Sequence, residues 1–198
     1  MKQIVLSLAM AFITLAACNS NNKSTENQNS SNDKLSTQTD NGGASTSSKA
    51  EAKNAVSIKE IVGAYLQIKN AFTNDNSTAA ASAGTALETA FKNFHKAALT
   101  AVQKKTFEDV EDDAREHAEH IGKNGGNIAH QREHFEPLSN DMYDLVKAFG
   151  SGQVLYKDFC PMYNNKKGAA WISETKEIKN PYYGKAMPTC GSIKEEIK

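Results

Sequence analysis

Two cysteines and two methionines near the end of the chain are residue types that hold soft metal ions. Cys160 is followed two positions later by Met162, and Met187 is followed three positions later by Cys190. Each pair encloses a proline, whose restricted backbone favours a set separation of the two sulfurs. Thiolate and thioether sulfurs select Cu(I) over calcium, magnesium or manganese. We expect these four sulfurs to form one soft-metal site, with Cu(I) the favoured ion and zinc a second candidate.

The same two cysteines are also suited to a structural disulfide. A bridge between Cys160 and Cys190 would close a loop of about 30 residues and stabilise the fold by roughly 3 to 4 kcal/mol. Such bridges persist in oxidising compartments. A thiolate that binds a metal cannot at the same time be half of a disulfide. Both interpretations stay open, and both predict that the two cysteine sulfurs are neighbours in the folded chain.

Four histidines form a second group of candidate ligands. His117 and His120 are three positions apart, and His130 and His134 are four apart. On a helix, either spacing puts both imidazoles on one face, where they can chelate a metal. His117 falls on an apolar stripe and needs a partner there, whereas a solvated surface is the alternative for the other three. We expect these histidines to assist the sulfur site, and we interpret the fifth, His95, as structural.

Four stretches in which apolar residues recur at helical spacing must position these ligands. They run from Ser57 to about Thr73, from Ser77 to about Val102, from Phe107 to Ile121 and from Ile128 to Phe149. Amphipathic helices with short connections are typical of an antiparallel four-helix bundle. The predicted fold class is therefore mainly α, a bundle of this kind followed by a loop-rich C-terminal tail.

Local signals refine this prediction at the ends of the helices. The segment from Ser57 to Glu60 fits a capping box, across which Val56 and Ile61 are placed to form a hydrophobic staple. The acidic run from Glu108 to Asp113 is interpreted as the negative first turns of the third helix rather than as a hard-metal site. Pro137 predicts a kink or a helix start inside the fourth stretch.

The tail loses the helical period and is expected to carry one or two short strands. Val154 to Phe159 and Ala169 to Ile172 have the composition of such strands. The cysteines then lie on the tail, and the histidines lie on the third and fourth helices.

The N-terminal residues predict export and lipidation. Residues 1–17 combine a basic start, a short apolar run and small residues at the end, as in a signal peptide. Leu15-Ala16-Ala17-Cys18 resembles a lipobox, so Cys18 is expected to carry the lipid that holds the protein at a membrane. Residues 18–54 are polar and predict a flexible linker, which leaves residues 55–198 as one domain. The expected location is the bacterial cell envelope, facing the periplasm.

Charge and motifs argue against two classes of function. The chain has 23 basic and 23 acidic residues and no basic stripe with interleaved aromatics, so nucleic acid is not an expected partner. Phosphate loops, nucleophile elbows and zinc-protease motifs are absent from the sequence. We therefore expect a binding protein and not an enzyme.

The folded domain resembles a bacterial family catalogued as a domain of unknown function. The resemblance rests on Cys160-Pro161-Met162, on Gly168 to Ser173, on Asn180 to Gly184, on Met187 to Gly191 and on Gln131 to Phe135. Its members occur as small lipoproteins and as C-terminal domains of heavy-metal efflux adaptor subunits. This association with efflux adaptors implies that the protein handles copper or a related cation outside the cytoplasm, with metal efflux components as partners.

Carried over residue by residue, the sulfur motif of that family falls on Cys160, Met162, Met187 and Cys190. Members commonly have a histidine just before the Cys-Pro-Met, where this chain has Phe159, so one nitrogen ligand is missing. The leading hypothesis is an envelope lipoprotein that binds copper for buffering or for transfer to efflux. The alternative is a protein-interaction module without a metal, stapled by a disulfide between Cys160 and Cys190.

Overall fold

Four long helices form the first part of the fold in the computed structural model, which describes residues 57–198. The helices are α1 (Lys59–Thr73), α2 (Ser77–Lys92), α3 (Ala101–Lys123) and α4 (Ile128–Phe149). Each packs against the next one along the chain, and α1 also contacts α4. The predicted mainly helical character, with four long helices packed together, is confirmed.

The start of α1 differs from the sequence-based prediction. Its N-cap is Ile58, which supplies no side-chain cap, and the hydroxyl of Ser57 instead accepts a hydrogen bond from the N–H of Lys59 at 3.2 Å. The predicted capping box from Ser57 to Glu60 is therefore wrong. Val56, the outer half of the predicted staple, lies outside the described residues.

The boundary between α2 and α3 also differs, because α2 ends at Lys92 and not near Val102. The capping box that starts α3 lies at Thr100 and Gln103, whose side chains each accept a hydrogen bond from the other residue's N–H, at 3.2 and 3.1 Å. The run from Glu108 to Asp113 therefore begins two turns inside α3. Its interpretation as the first turns of the helix was wrong, since the macrodipole acts only near a helix end.

The C-terminal part forms a small antiparallel sheet of three strands, in the order β2-β1-β3. The strands are β1 (Leu155–Cys160), β2 (Ala169–Ser173) and β3 (Ser192–Ile197). The first two match the predicted strands closely. The third strand, β3, was not predicted, because only one or two strands were expected. Most of its side chains are exposed, so its sequence lacks the alternation of a half-buried strand, and it forms by backbone pairing with β1 at an edge.

Aromatic side chains join the helices to this sheet. The buried ring of Phe135 on α4 stacks on Tyr65 of α1, with 5.2 Å between centroids, and meets Phe72 edge-on at 5.2 Å. The hydroxyl of Tyr65 accepts the N–H of Ile172 in β2 at 3.0 Å and lies 2.9 Å from the hydroxyl of Ser139. Because these polar atoms are paired in the core, β2 is held in place against α1 and α4.

The predicted signal peptide (1–17), lipidation site Cys18 and linker (18–54) lie outside the described residues. They stay predictions. Within residues 57–198, no helix combines the length and the apolar character that crossing a bilayer requires.

Candidate metal centre

A short connection brings the end of α3 beside the start of α4. The side chain of Asn127 caps α4 by accepting the N–H of His130 at 3.3 Å. Gly126 has a φ of +101°, which glycine adopts without strain, and its N–H donates to the hydroxyl of Ser77 at 3.1 Å. The four-residue turn therefore lets the two helices run side by side from their junction.

Gln131 fixes how α4 is rotated relative to its neighbours. Its side chain is fully buried, and its amide nitrogen donates to the carbonyl oxygens of Ser77 at 3.0 Å and Ile121 at 2.9 Å. A buried amide that loses these bonds costs about 1 to 3 kcal/mol, so the rotation is strongly preferred. Since His130 and His134 flank Gln131 on α4, their direction toward α3 follows from the same anchor.

The turn and the anchor gather the four histidines into one cluster, which comprises His117 and His120 on α3 and His130 and His134 on α4. The ring of His134 stacks on His120 at 4.2 Å between centroids and meets His130 at 4.6 Å. One nitrogen from each of His120, His130 and His134 lies within 4.8 Å of the other two. Imidazole nitrogens bind zinc at about 2.0 to 2.1 Å, so small side-chain rotations would bring all three onto one ion.

His117 belongs to the cluster but not to this group of three. Its Nδ1 lies 3.2 Å from Nδ1 of His134. One ring must donate and the other accept, which answers the expectation that His117 needs a partner on its apolar stripe. When Nδ1 of His134 carries the proton, its Nε2 keeps a free lone pair for a metal. Glu133 orients His130 in a similar way. Its Oε2 lies 3.3 Å from Nδ1 of His130, so a proton on Nδ1 leaves Nε2 of that ring free for a metal.

Electrostatics keep the inner imidazoles neutral. Burial, followed by the neighbouring histidines, lowers the pKa of His134 to about 4. Burial is also the main cause of the lowered pKa of His117. Because a metal binds only the unprotonated nitrogen, His134 is in the ligating form at neutral pH.

The cluster is open to solvent on its outer side. The side chain of His120 is 43% exposed and that of His130 is 34% exposed, and His117 and His134 are partly buried. An ion could therefore enter from this side. The alternative of a solvated surface for His120, His130 and His134 is compatible with this partial exposure, and the structure adds that their rings contact one another.

Asp141, also on α4, has a carboxylate oxygen that lacks a hydrogen-bond partner. Its Oδ2 is buried and unpaired. Burial, and then the nearby carboxylates of Asp113 and Asp144, raise its pKa from 3.8 to about 7. Asp141 is therefore only partly ionised at neutral pH in the folded protein, whereas an ordinary aspartate is fully ionised.

Replacing Asp141 with asparagine is expected to stabilise the protein at high pH. The folded state holds this proton more tightly than the unfolded state, so the native protein loses stability as the pH rises from about 4 to about 7. We expect Asp141→Asn to gain roughly 1 to 3 kcal/mol at pH 8 and to lose that advantage toward pH 4. Urea denaturation across this pH range measures it, and a pH-independent difference would contradict the assignment.

The two cysteines meet at the end of β1. Cys160 is buried, Cys190 is partly exposed, and neither is in a disulfide. A hydrogen bond between the two thiols is the main cause of the raised pKa of Cys190, while a bond to the backbone of Met162 lowers it. The prediction that the two sulfurs are neighbours is confirmed. The side chains of Met162 and Met187 are 45% and 37% exposed.

The histidines and the cysteines do not fall into one group of close potential ligands among the described residues. Within residues 57–198, His120, His130 and His134 form the one group of three or more histidine, cysteine or acidic side chains close enough to share an ion, and neither cysteine belongs to it. Sequence reasoning identified each histidine pair from its helical spacing. The sequence feature that could have predicted the approach of the two histidine pairs is the Gly125-Gly126 turn between them, because such a turn favours a tight helical hairpin.

Comparison with known protein families gives a match over the helical part of the chain. A family model described as "Protein of unknown function (DUF3347)" matches residues 61–154. This range spans α1 to α4 with all four clustered histidines and ends before β1. The resemblance to a domain of unknown function is thereby supported for the helices, although we expected it over the whole folded domain. Neither the curated proteins nor the solved structures contain a match to the chain.

Proposed function

We propose that this protein is a lipid-anchored envelope protein that binds a transition metal, most favourably copper, through His120, His130 and His134. The observation that carries the proposal is the mutual approach of three imidazole nitrogens from two adjoining helix ends, all within 4.8 Å. His117 and Glu133 serve as positioning residues, because each contacts a second nitrogen of a ligating ring and so sets its tautomer.

The choice of metal follows from the ligand type. Calcium and magnesium prefer oxygen ligands, whereas imidazole suits zinc, copper, iron and nickel. For a given nitrogen site, the affinity of divalent ions rises to Cu(II) and falls again at Zn(II). Copper therefore outcompetes zinc at equal free concentrations. Three imidazole ligands also leave a fourth coordination position open. An incoming ligand can bind there, which exchange of the metal requires.

The location and the role are proposed from the N-terminal residues. A lipid on Cys18 and a polar linker would hold the domain near a membrane while leaving the histidine cluster accessible. A partly exposed site of this kind suits buffering of copper, or its transfer to efflux components, better than permanent storage. We further propose that the four helices form an antiparallel bundle, which the short connection between α3 and α4 favours.

Metal titration of the full-length protein, purified in detergent, tests this function. The double variant Cys160→Ser, Cys190→Ser is the appropriate material, because Cu(II) cannot then oxidise the thiols. We expect one Cu(II) per chain against a competing chelator, with nitrogen hyperfine coupling in its electron paramagnetic resonance spectrum and with weaker binding of Zn(II). A protein that shows no saturable binding of either ion would refute the proposal.

A further inference from the structure

The pairing of β1 with β3 brings Cys160 and Cys190 together. Phe159 pairs with Ser192 in this antiparallel ladder, so Cys160 comes next to Gly191, and Cys190 is the residue that follows. Gly191 lets this segment pack closely on the sheet, since a Cβ there would lie 2.8 Å from the ring of Trp171 and 3.2 Å from the carbonyl oxygen of Phe159. The Cys160 thiol lies close enough to that of Cys190 to be the main cause of its raised pKa, and both residues pack into the same hydrophobic core.

A buried asparagine holds the backbone of Cys190 in this position. The side-chain nitrogen of Asn180 donates to the carbonyl oxygen of Cys190 at 2.7 Å, and its backbone N–H donates to that of Pro188 at 2.8 Å. The side-chain oxygen of Asn180 accepts the N–H groups of Tyr182 and Tyr183 at 2.8 and 3.0 Å. Because Asn180 is fully buried and its bonds are made, the backbone that carries Cys190 is held in one position beside the end of β1.

We propose that Cys160 and Cys190 bind one Cu(I) as a pair of thiolates, at a second site separate from the histidine cluster. Two thiols each lose a proton to solvent and two copper–sulfur bonds form, with no change in oxidation state. Thiolates select Cu(I), which accepts two ligands, whereas a protein zinc site takes at least three. Cys160 is buried and Cys190 partly exposed, so an ion would reach the pair from the side of Cys190.

This site goes beyond the proposed function, because it uses none of the histidines and a different oxidation state of copper. The methionines at positions 162 and 187 are not required for it, since their exposed side chains lie partly in solvent. A disulfide between the same cysteines is the competing occupant of this position, and it would exclude the ion.

The test uses the full-length protein with His130→Ala and His134→Ala, which leaves the cysteines as the candidate ligands under study. Cu(I) is supplied anaerobically to the thiol-reduced protein against a competing chromogenic chelator. We expect one Cu(I) per chain and a sulfur-to-copper charge-transfer band in the near ultraviolet. Adding Cys160→Ser and Cys190→Ser is expected to weaken binding by on the order of 100-fold or more and to abolish the band.

Two further measurements keep the result interpretable. Circular dichroism establishes that each variant is folded, and Met162→Leu and Met187→Leu serve as matched controls with near-unchanged affinity. Absence of the charge-transfer band in the reduced, folded protein would overturn the site, as would undiminished affinity in the cysteine variants. A loss in the leucine variants as large as that in the serine variants would overturn the two-thiolate assignment. None of these outcomes bears on Cu(II) binding by the histidines.

Discussion

Replacing His130 and His134 with alanine is expected to lower the affinity for Cu(II) by on the order of 100-fold or more. These residues supply two of the three nitrogens that lie within 4.8 Å of one another. They also carry the contacts to Glu133 and His117 that orient the rings. A lone imidazole on an exposed helix cannot replace a chelating group of three, because each separate ligand binds the ion without the entropic advantage of the others.

The control for this prediction is the fifth histidine of the chain. His95 is exposed in the connection between α2 and α3 and makes no ring contact with the cluster among the described residues. His95→Ala is expected to bind Cu(II) as the parent does. Competition titration on the variants that lack Cys160 and Cys190 measures both. Equal affinity in the cluster variant and the His95 variant would remove the histidine cluster as the metal site.

Replacing Phe135 with alanine is expected to cost about 3 to 5 kcal/mol of unfolding free energy. The ring is fully buried where α1, α4 and the C-terminal loop meet. Its centroid lies 5.2 Å from those of Tyr65 and Phe72 and 5.6 Å from that of Tyr182. Truncation leaves a cavity among three aromatic rings, two on α1 and one in the C-terminal loop, so the surroundings cannot close it without moving a helix.

Chemical denaturation followed by tryptophan fluorescence measures this effect. Trp171 is the single tryptophan of the chain, and its buried ring lies 6.0 Å from that of Tyr182, close to the altered site. Val102→Ala is the matched control, because this side chain is 68% exposed and its loss should change stability by less than about 0.5 kcal/mol. A loss below about 1.5 kcal/mol in Phe135→Ala would mean that the core does not depend on this ring.

Each error in the helix prediction has its own physical cause. Alanine-rich sequence from Ser77 onward continues the helical pattern past the true end of α2, because alanine has high helix propensity whether or not its face is buried. The chain leaves the helix at Asn93 and restarts at Ala101, where Thr100 and Gln103 cap it. At the first helix, Ser57 and Glu60 satisfy the capping pattern without forming it, since Ile58 is buried and occupies the cap.

The candidate site was predictable in its parts but not in its assembly. Helical spacing pairs His117 with His120 and His130 with His134, and this depends on neighbouring residues alone. The distance between the two pairs depends on the turn at Gly126 and on the bonds of Gln131 to Ser77 and Ile121. The expectation that sulfurs and histidines share one site was made without knowledge of these long-range contacts.

By itself, the sequence determined the four long helices, two of the three strands and the residue types available as ligands, because periodicity and side-chain chemistry are local properties. Only the tertiary structure decided that four imidazoles meet at the junction of α3 and α4, and that Cys160 and Cys190 meet elsewhere, where β1 pairs with β3. Both meetings depend on contacts between residues far apart along the chain. Such contacts are set by helix rotation and strand register, which packing and buried hydrogen bonds fix after the local elements have formed.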